Sequence, residues 1–168
     1  MDQKTPTIRL ATDADYDNIY AIWLEGIENS FDRSPEDHPH IEAKFRQNFE
    51  QRHGIFNFWV ATDAEGHILG WQSLTKFSNN PFCQTTHAES STYLAKQTRF
   101  KGLGKQLLAH ALQEAEKSSL EYVMGFVSLA NEAAKKATRE TGWIEVGAIP
   151  RSKKGKNTFT KSLIVRPV

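Results

Sequence analysis

The sequence predicts a single α/β domain, residues 1–168, built on a mixed, mostly antiparallel sheet of about seven strands with four helices. Three observations lead there. Strand-like and helix-like runs alternate in the order β-α-α-β-β-β-α-β-α-β-β, and the three successive strands of the front half can pair antiparallel. A clean amphipathic helix follows directly on a strand and a glycine turn near residues 96–102. No repeat, low-complexity tract or linker divides the 168 residues, whose 39% hydrophobic content is enough for one core.

Each element has its own local reason. Residues 7–10 are a short extended run, after which Thr12 and Asp13 read as a helix cap. Tyr16, Ile19, Tyr20, Trp23 and Ile27 then recur at helical spacing. A polar loop with Pro35 and Pro39 follows. Ile41, Phe45 and Phe49 fall four apart, on one face of a second helix that Gly54 ends. Phe56, Phe58 and Val60 alternate as a strand does. Asp63-Ala64-Glu65-Gly66 makes a hairpin turn into a return strand at 68–76. A loop at 78–86 leads to a strand at 87–95. Leu103, Leu107, Leu108, Ala111, Leu112 and Ala115 mark one face of the third helix. A buried strand at 122–127 precedes a short helix at 131–141, stopped by the left-handed preference of Gly142. Strands at 143–149 and 158–165 close the sheet around the basic loop RSKKGKN.

Bulk charge excludes several classes of function. Lys plus Arg number 21 against 20 for Asp plus Glu, so no global field draws the chain to nucleic acid or a membrane surface. The N-terminus has no apolar leader core, and no apolar run approaches a membrane span. The single Cys83 excludes an internal disulfide and completes no metal constellation. The expectation is a soluble, cytoplasmic protein with no metal, in which Cys83 is a spectator.

Any anion site must therefore be local, and the stretch TRFKGLGK supplies one. The first amides of a helix lack intrahelical partners and carry the positive end of its dipole. Gly102 and Gly104 keep side chains away from those amides, and Arg99, Lys101 and Lys105 add charge around them. That suits a phosphate or pyrophosphate. A charged turn with a glycine-softened helix start has the same pattern, so the turn alone does not decide the matter. Gln106 stands where a P-loop needs Ser or Thr, and Leu107 where a dinucleotide fingerprint needs its third glycine.

Three groups in order, Glu89-Ser-x-x-Tyr93, Arg99-x-x-Gly102-x-Gly104, and Asn131 eleven residues before Gly142-Trp143, resemble the Gcn-related N-acetyltransferase (GNAT) superfamily. Within it, the chain is most similar to the branch of phosphinothricin and other L-amino acid N-acetyltransferases. The resemblance implies a sheet splayed between strands four and five, with acetyl-CoA as cosubstrate in the opening. Its diphosphate is expected on Arg99, Phe100, Lys101, Gly102, Leu103, Gly104 and Lys105. The pantetheine arm is expected along Thr92, Tyr93 and Leu94, with Asn131 on a pantetheine amide and a backbone N–H near Leu94 as oxyanion donor. Glu89 is implied as general base, through a water, and burial should raise its pKa if it serves so. Asn131 also reads as a helix cap.

The acceptor implied is the primary amine of a small molecule, an amino acid or an analogue. Lys76, the strong cation before the base, and Glu28 are the residues expected to contact it. Other acceptors stay open (a polyamine, an aminoglycoside, a protein N-terminus), as does an acyl-CoA-binding module without catalysis. The resemblance also implies a homodimer. Three departures stand out: Thr138 where relatives carry Tyr or His, Ala134 for a frequent serine, and Phe100 for a common glycine.

Overall fold

Seven strands of the described residues pair into one sheet: β1 (Thr7–Leu10), β2 (Phe58–Thr62), β3 (Ile68–Lys76), β4 (His87–Leu94), β5 (Tyr122–Ser128), β6 (Ile144–Ala148) and β7 (Lys161–Pro167). Their order is β1-β2-β3-β4-β5-β7-β6. The four helices of the described residues are α1 (Tyr16–Phe31), α2 (Ile41–Glu50), α3 (Leu103–Glu116) and α4 (Glu132–Glu140). This computed structural model describes residues 5–31, 39–151, 153 and 160–168, with backbone alone over 28–31. The polar segment 32–38 and most of the basic loop at 151–157 lie outside the described residues.

The helices cover the two faces of the sheet unequally. On one face, Tyr16, Ile19 and Ile22 of α1 and Phe45 and Phe49 of α2 bury against Phe58, Val60 and Trp71. On the other, Leu108, Ala111, Leu112 and Ala115 of α3 bury against Trp59, Leu74, Ala88 and Val123. The apolar spacing on each helix therefore faces a sheet, as its period requires.

Sandwiching of the strands between helices corrects one expectation. Phe56, Phe58 and Val60 were expected as one alternating strand. The strand instead begins at Phe58, and all five of its residues are buried, because Phe58 and Val60 face α1 and α2 while Trp59 and Ala61 face α3. Phe56 lies outside it, bridged to His53. The last strand also starts later than the expected 158 and runs on to Pro167, opposite Tyr122. The hairpin turn is as expected, with Gly66 at φ +89° and β2 antiparallel to β3.

Helix α1 is entered through a 3-10 turn, Asp13–Asp15, rather than directly from Thr12. The Asp15 carboxylate, buried, receives both arms of the Arg9 guanidinium at 2.7 and 2.9 Å and the Thr12 N–H at 2.7 Å. Arg9 chiefly, then Thr12, holds its pKa down to about 2 against the cost of burial. That knot ties β1 to the start of α1.

Candidate active site

The parallel ladder between β4 and β5 is short. Only His87↔Tyr122, Ala88↔Val123 and Glu89↔Met124 pair, although β4 pairs with β3 along seven residues and β5 with β7 along seven. Beyond Glu89 the two strands part, and Glu89 stands at the vertex of the fork.

Main-chain direction follows from strand geometry. Ala95 donates its N–H to Leu69 O at 3.0 Å, and Phe77 donates to His87 O. In an antiparallel ladder, alternate residues turn both main-chain groups to the same neighbour. Residues 87, 89, 91, 93 and 95 thus serve β3, and Thr92 and Leu94 turn their N–H and C=O groups into the fork.

Side chains of β4 divide between two faces. Ala88 packs under α3, and Leu94 and Thr92 lie beside Gly104 of the same helix. Tyr93 is on the other face, stacked on Trp71 with ring centroids 4.9 Å apart. There α1 comes so close that a Cβ on Gly26 would stand 2.8 Å from the Tyr93 ring. Glu25 of α1 also accepts the Lys96 N–H at 3.0 Å. Glu89 shares the α1 face with Tyr93, by the two-residue period of the strand.

The amides at the head of α3 have no capping side chain. Gly102 is its N-cap at φ +78°, a left-handed conformation that suits glycine, and the space around its missing Cβ is open. Gln106 is the first residue of α3 to bond back, to Gly102 O at 3.0 Å. The N–H groups of Leu103, Gly104 and Lys105 precede the first intrahelical bond, and Gly104 lies beside the side chains of Thr92 and Leu94. Helix α4 differs, since Asn131 caps it by accepting the Ala134 N–H at 3.0 Å. That bond occupies Oδ1 and leaves the Nδ2 group of Asn131 for another acceptor.

The charged residues of the turn are placed less uniformly than the sequence implied. Arg99 and Lys101 are exposed, and Arg99 folds back to donate to Lys96 O at 3.2 Å. Lys105 is paired with Glu140 of α4 at 2.8 Å. Phe100 turns its ring into the cluster of Ala61, Leu103 and Leu107, so its bulk is spent in the core rather than in the phosphate turn.

Glu89 is partly buried, and burial pushes its carboxyl pKa up, against the pull of Lys161. The Lys161 ammonium is pushed down by burial and held up by Glu89. Lys161 was not singled out in the sequence, because its place depends on the pairing of β7. Lys76 is not brought to the fork. It pairs with Ala88, on the α3 face, and its ammonium lies 5.9 Å from the centre of the Phe56 ring. Glu28 is on the last turns of α1, but its side chain lies outside the described residues. Thr138 donates its hydroxyl to Lys135 O at 3.0 Å, within its own helix.

A family model described as "Acetyltransferase (GNAT) family" matches residues 16–143, most of the chain and both strands that part at Glu89. The chain belongs to that family. This acetyltransferase is 29% identical over 148 residues to the L-methionine sulfoximine/L-methionine sulfone acetyltransferase of Pseudomonas aeruginosa PAO1, covering 86% of this chain and 84% of that protein. Among solved structures, a phosphinothricin acetyltransferase (Pat) from Sinorhizobium meliloti in complex with AcCoA superposes with a TM-score of 0.81. It is 25% identical, over 98% of this chain and 89% of that one. A GCN5-related N-acetyltransferase from Kribbella flavida has the same TM-score, 0.81, at 20% identity and 98% coverage of this chain, which shows the shared fold.

The residues of this acetyltransferase fit acetyl-CoA on their own geometry. Uncapped amides suit the diphosphate. The main chain of Thr92 and Leu94 offers strand-like pairing to the pantetheine arm, and a carboxylate stands where the fork closes.

Proposed function

We propose that this acetyltransferase moves the acetyl group of acetyl-CoA to the primary amine of a small molecule, an amino acid or an analogue of the methionine sulfone or phosphinothricin kind. The observation that carries this reading is the fork at Glu89↔Met124 with the Leu94 main chain turned into it. The named substrates of the relatives support the acceptor class.

The chemistry needs a proton removed and an oxyanion held. Glu89, through a water, accepts a proton from the acceptor ammonium, and its raised pKa makes it a better base than an ordinary carboxylate. The freed amine attacks the thioester carbonyl; the C–N bond forms, the C–S bond breaks, and the nitrogen releases its second proton to solvent. The Leu94 N–H receives the charge that gathers on the carbonyl oxygen. The departing thiolate takes its proton from solvent, since the Thr138 hydroxyl is far too weak an acid and is already bonded to Lys135 O. The diphosphate rests on the amides of Leu103, Gly104 and Lys105, Arg99 and Lys101 lend charge, and Asn131 donates Nδ2 to a pantetheine carbonyl.

The protein works in the cytoplasm as a homodimer. Ile144 and Val146 of edge strand β6 support a partner there, being 58% and 61% exposed. Sedimentation of the purified protein tests the dimer. A thiol-release assay over a panel of amines tests the activity. Acetyl-CoA binding with no turnover of any amine contradicts it and favours a binding module instead.

A further inference from the structure

The face of the sheet that carries Glu89 also carries a lysine that the reading above leaves without a role. Strand β7 pairs with β5 along its whole length, so the two form one wall of the fork. Met124 is opposite Glu89 on one side and opposite Val165 on the other, which puts all three on one face. Lys161 is four residues from Val165, an even number, and so shares that face. Ser162 and Ile164 are buried and agree with the alternation, lining one cavity with Trp143, which packs on the α3 cluster of the opposite side. Lys161 is opposite Ser128, toward the wide end of the fork, where β4 no longer pairs with β5.

We propose that Lys161 is the acceptor-binding cation of this enzyme, holding the carboxylate of an α-amino acid whose amine is presented to Glu89. This assignment rests on the acetyltransferase reading given above. An acceptor approaching from the α1 face meets a carboxylate at the vertex of the fork and an ammonium farther out along the same wall. A zwitterionic amino acid carries the complementary pair. Burial sharpens the match, because Lys161 is partly withdrawn from water and its charge and that of Glu89 act on one another. Lys76 cannot do this from the other face, beside Phe56. A flexible ammonium also accepts a carboxylate at varied angles, where an arginine fork fixes one.

The test compares methionine sulfone with its decarboxylated counterpart, 3-methylsulfonylpropylamine, on wild type, Lys161→Met and Lys161→Arg at saturating acetyl-CoA. Lys161→Met is expected to raise KM for the amino acid about 10- to 100-fold, the scale of a lost charge-assisted bond. KM for the amine and KM for acetyl-CoA are expected to stay within about threefold, which also certifies the fold. Lys161→Arg is expected to restore most of the amino acid KM. An equal KM rise for both acceptors overturns the assignment. So does a fall in kcat alone, which would make Lys161 a partner of Glu89 rather than of substrate. Wild-type turnover of the amine without the amino acid overturns it too, yet leaves the acetyltransferase reading standing. Thiol release with neither these nor any other amine overturns both.

Discussion

Glu89 and Met124 form the last pair of the parallel ladder between β4 and β5, so the candidate base sits where the sheet opens. The position has two consequences. Hydrogen bonding with β3 continues beyond the vertex and keeps β4 rigid, and the strand's far side is released for a ligand. The Glu89 carboxylate and the Leu94 N–H proposed to hold the oxyanion are then on one strand, five residues apart.

Replacing Glu89 by Gln is expected to lower kcat about 100- to 1,000-fold while acetyl-CoA binding is kept, the usual scale of a lost general base. Steady-state kinetics and calorimetry on the same preparation check this. Stability should move the other way. The folded protein raises the pKa of Glu89, so its charge opposes folding at neutral pH. The glutamine variant should melt at the same temperature as wild type or higher.

The acid limb of kcat/KM should lie above the range of a free carboxylate. Glu89 must be ionised to accept a proton, so activity falls as pH drops through its raised pKa. Lys161→Met removes the charge that opposes the rise, and the limb should then shift further toward neutral pH. A limb at ordinary carboxylate pH in both proteins contradicts the tuning.

Gly104→Ala separates binding from folding. The added Cβ meets Leu94 Cδ1 at 3.7 Å and Thr92 Cγ2 at 4.0 Å, ordinary contacts, so the fold should tolerate it. A diphosphate lying on the amides should not, and acetyl-CoA affinity is expected to fall about 10-fold or more. Gly102→Ala is different in kind: at φ +78° it should cost about 1–2 kcal/mol of stability in a melt.

Glu140→Gln should tighten acetyl-CoA binding. Lys105 is held at 2.8 Å by Glu140, with Lys136 also on that carboxylate at 3.8 Å. Freed, the lysine adds its charge to the phosphate turn. The gain is expected to be about 2- to 5-fold at low salt and to fade as ionic strength rises, as for any exposed pair.

Asp15 gives the fold a pH signature. Its folded pKa of about 2 is below the ordinary value of 3.8, so its ion pair with Arg9 stabilises at neutral pH. The contribution, about 2 kcal/mol, is complete above the unfolded pKa and lost as pH falls through about 2. Asp15→Asn should therefore destabilise by about that amount at pH 7, and the difference from wild type should shrink between about pH 4 and 2 in denaturant titrations.

Local signals carried much of the architecture. The Asp63–Gly66 turn, the apolar face of α3, the left-handed Gly142 and the Asn131 cap all depend on neighbours a few residues away, and all stood in the sequence. What escaped is set by distant pairing. Phe56 could not be separated from the β2 pattern without knowing that α3 covers that strand's other face. The face of Lys76 follows from its register with Ala88, and that of Lys161 from the register of β7 on β5. The engagement of Lys105 by Glu140 joins two helices that no periodicity relates. The glycine turn was legible as a candidate anion site that the turn alone did not decide, and the fork beside it came from the family resemblance.

Isothermal titration of the purified protein with acetyl-CoA reads the proposed seat of the diphosphate on the α3 amides. The expected result is saturable binding, one equivalent per chain, with a dissociation constant of about 1 µM to 1 mM, weakened about 10-fold or more by Gly104→Ala. No saturable heat at any concentration in that range, or equal affinity in the alanine variant, contradicts the placement of the diphosphate on the amides of α3.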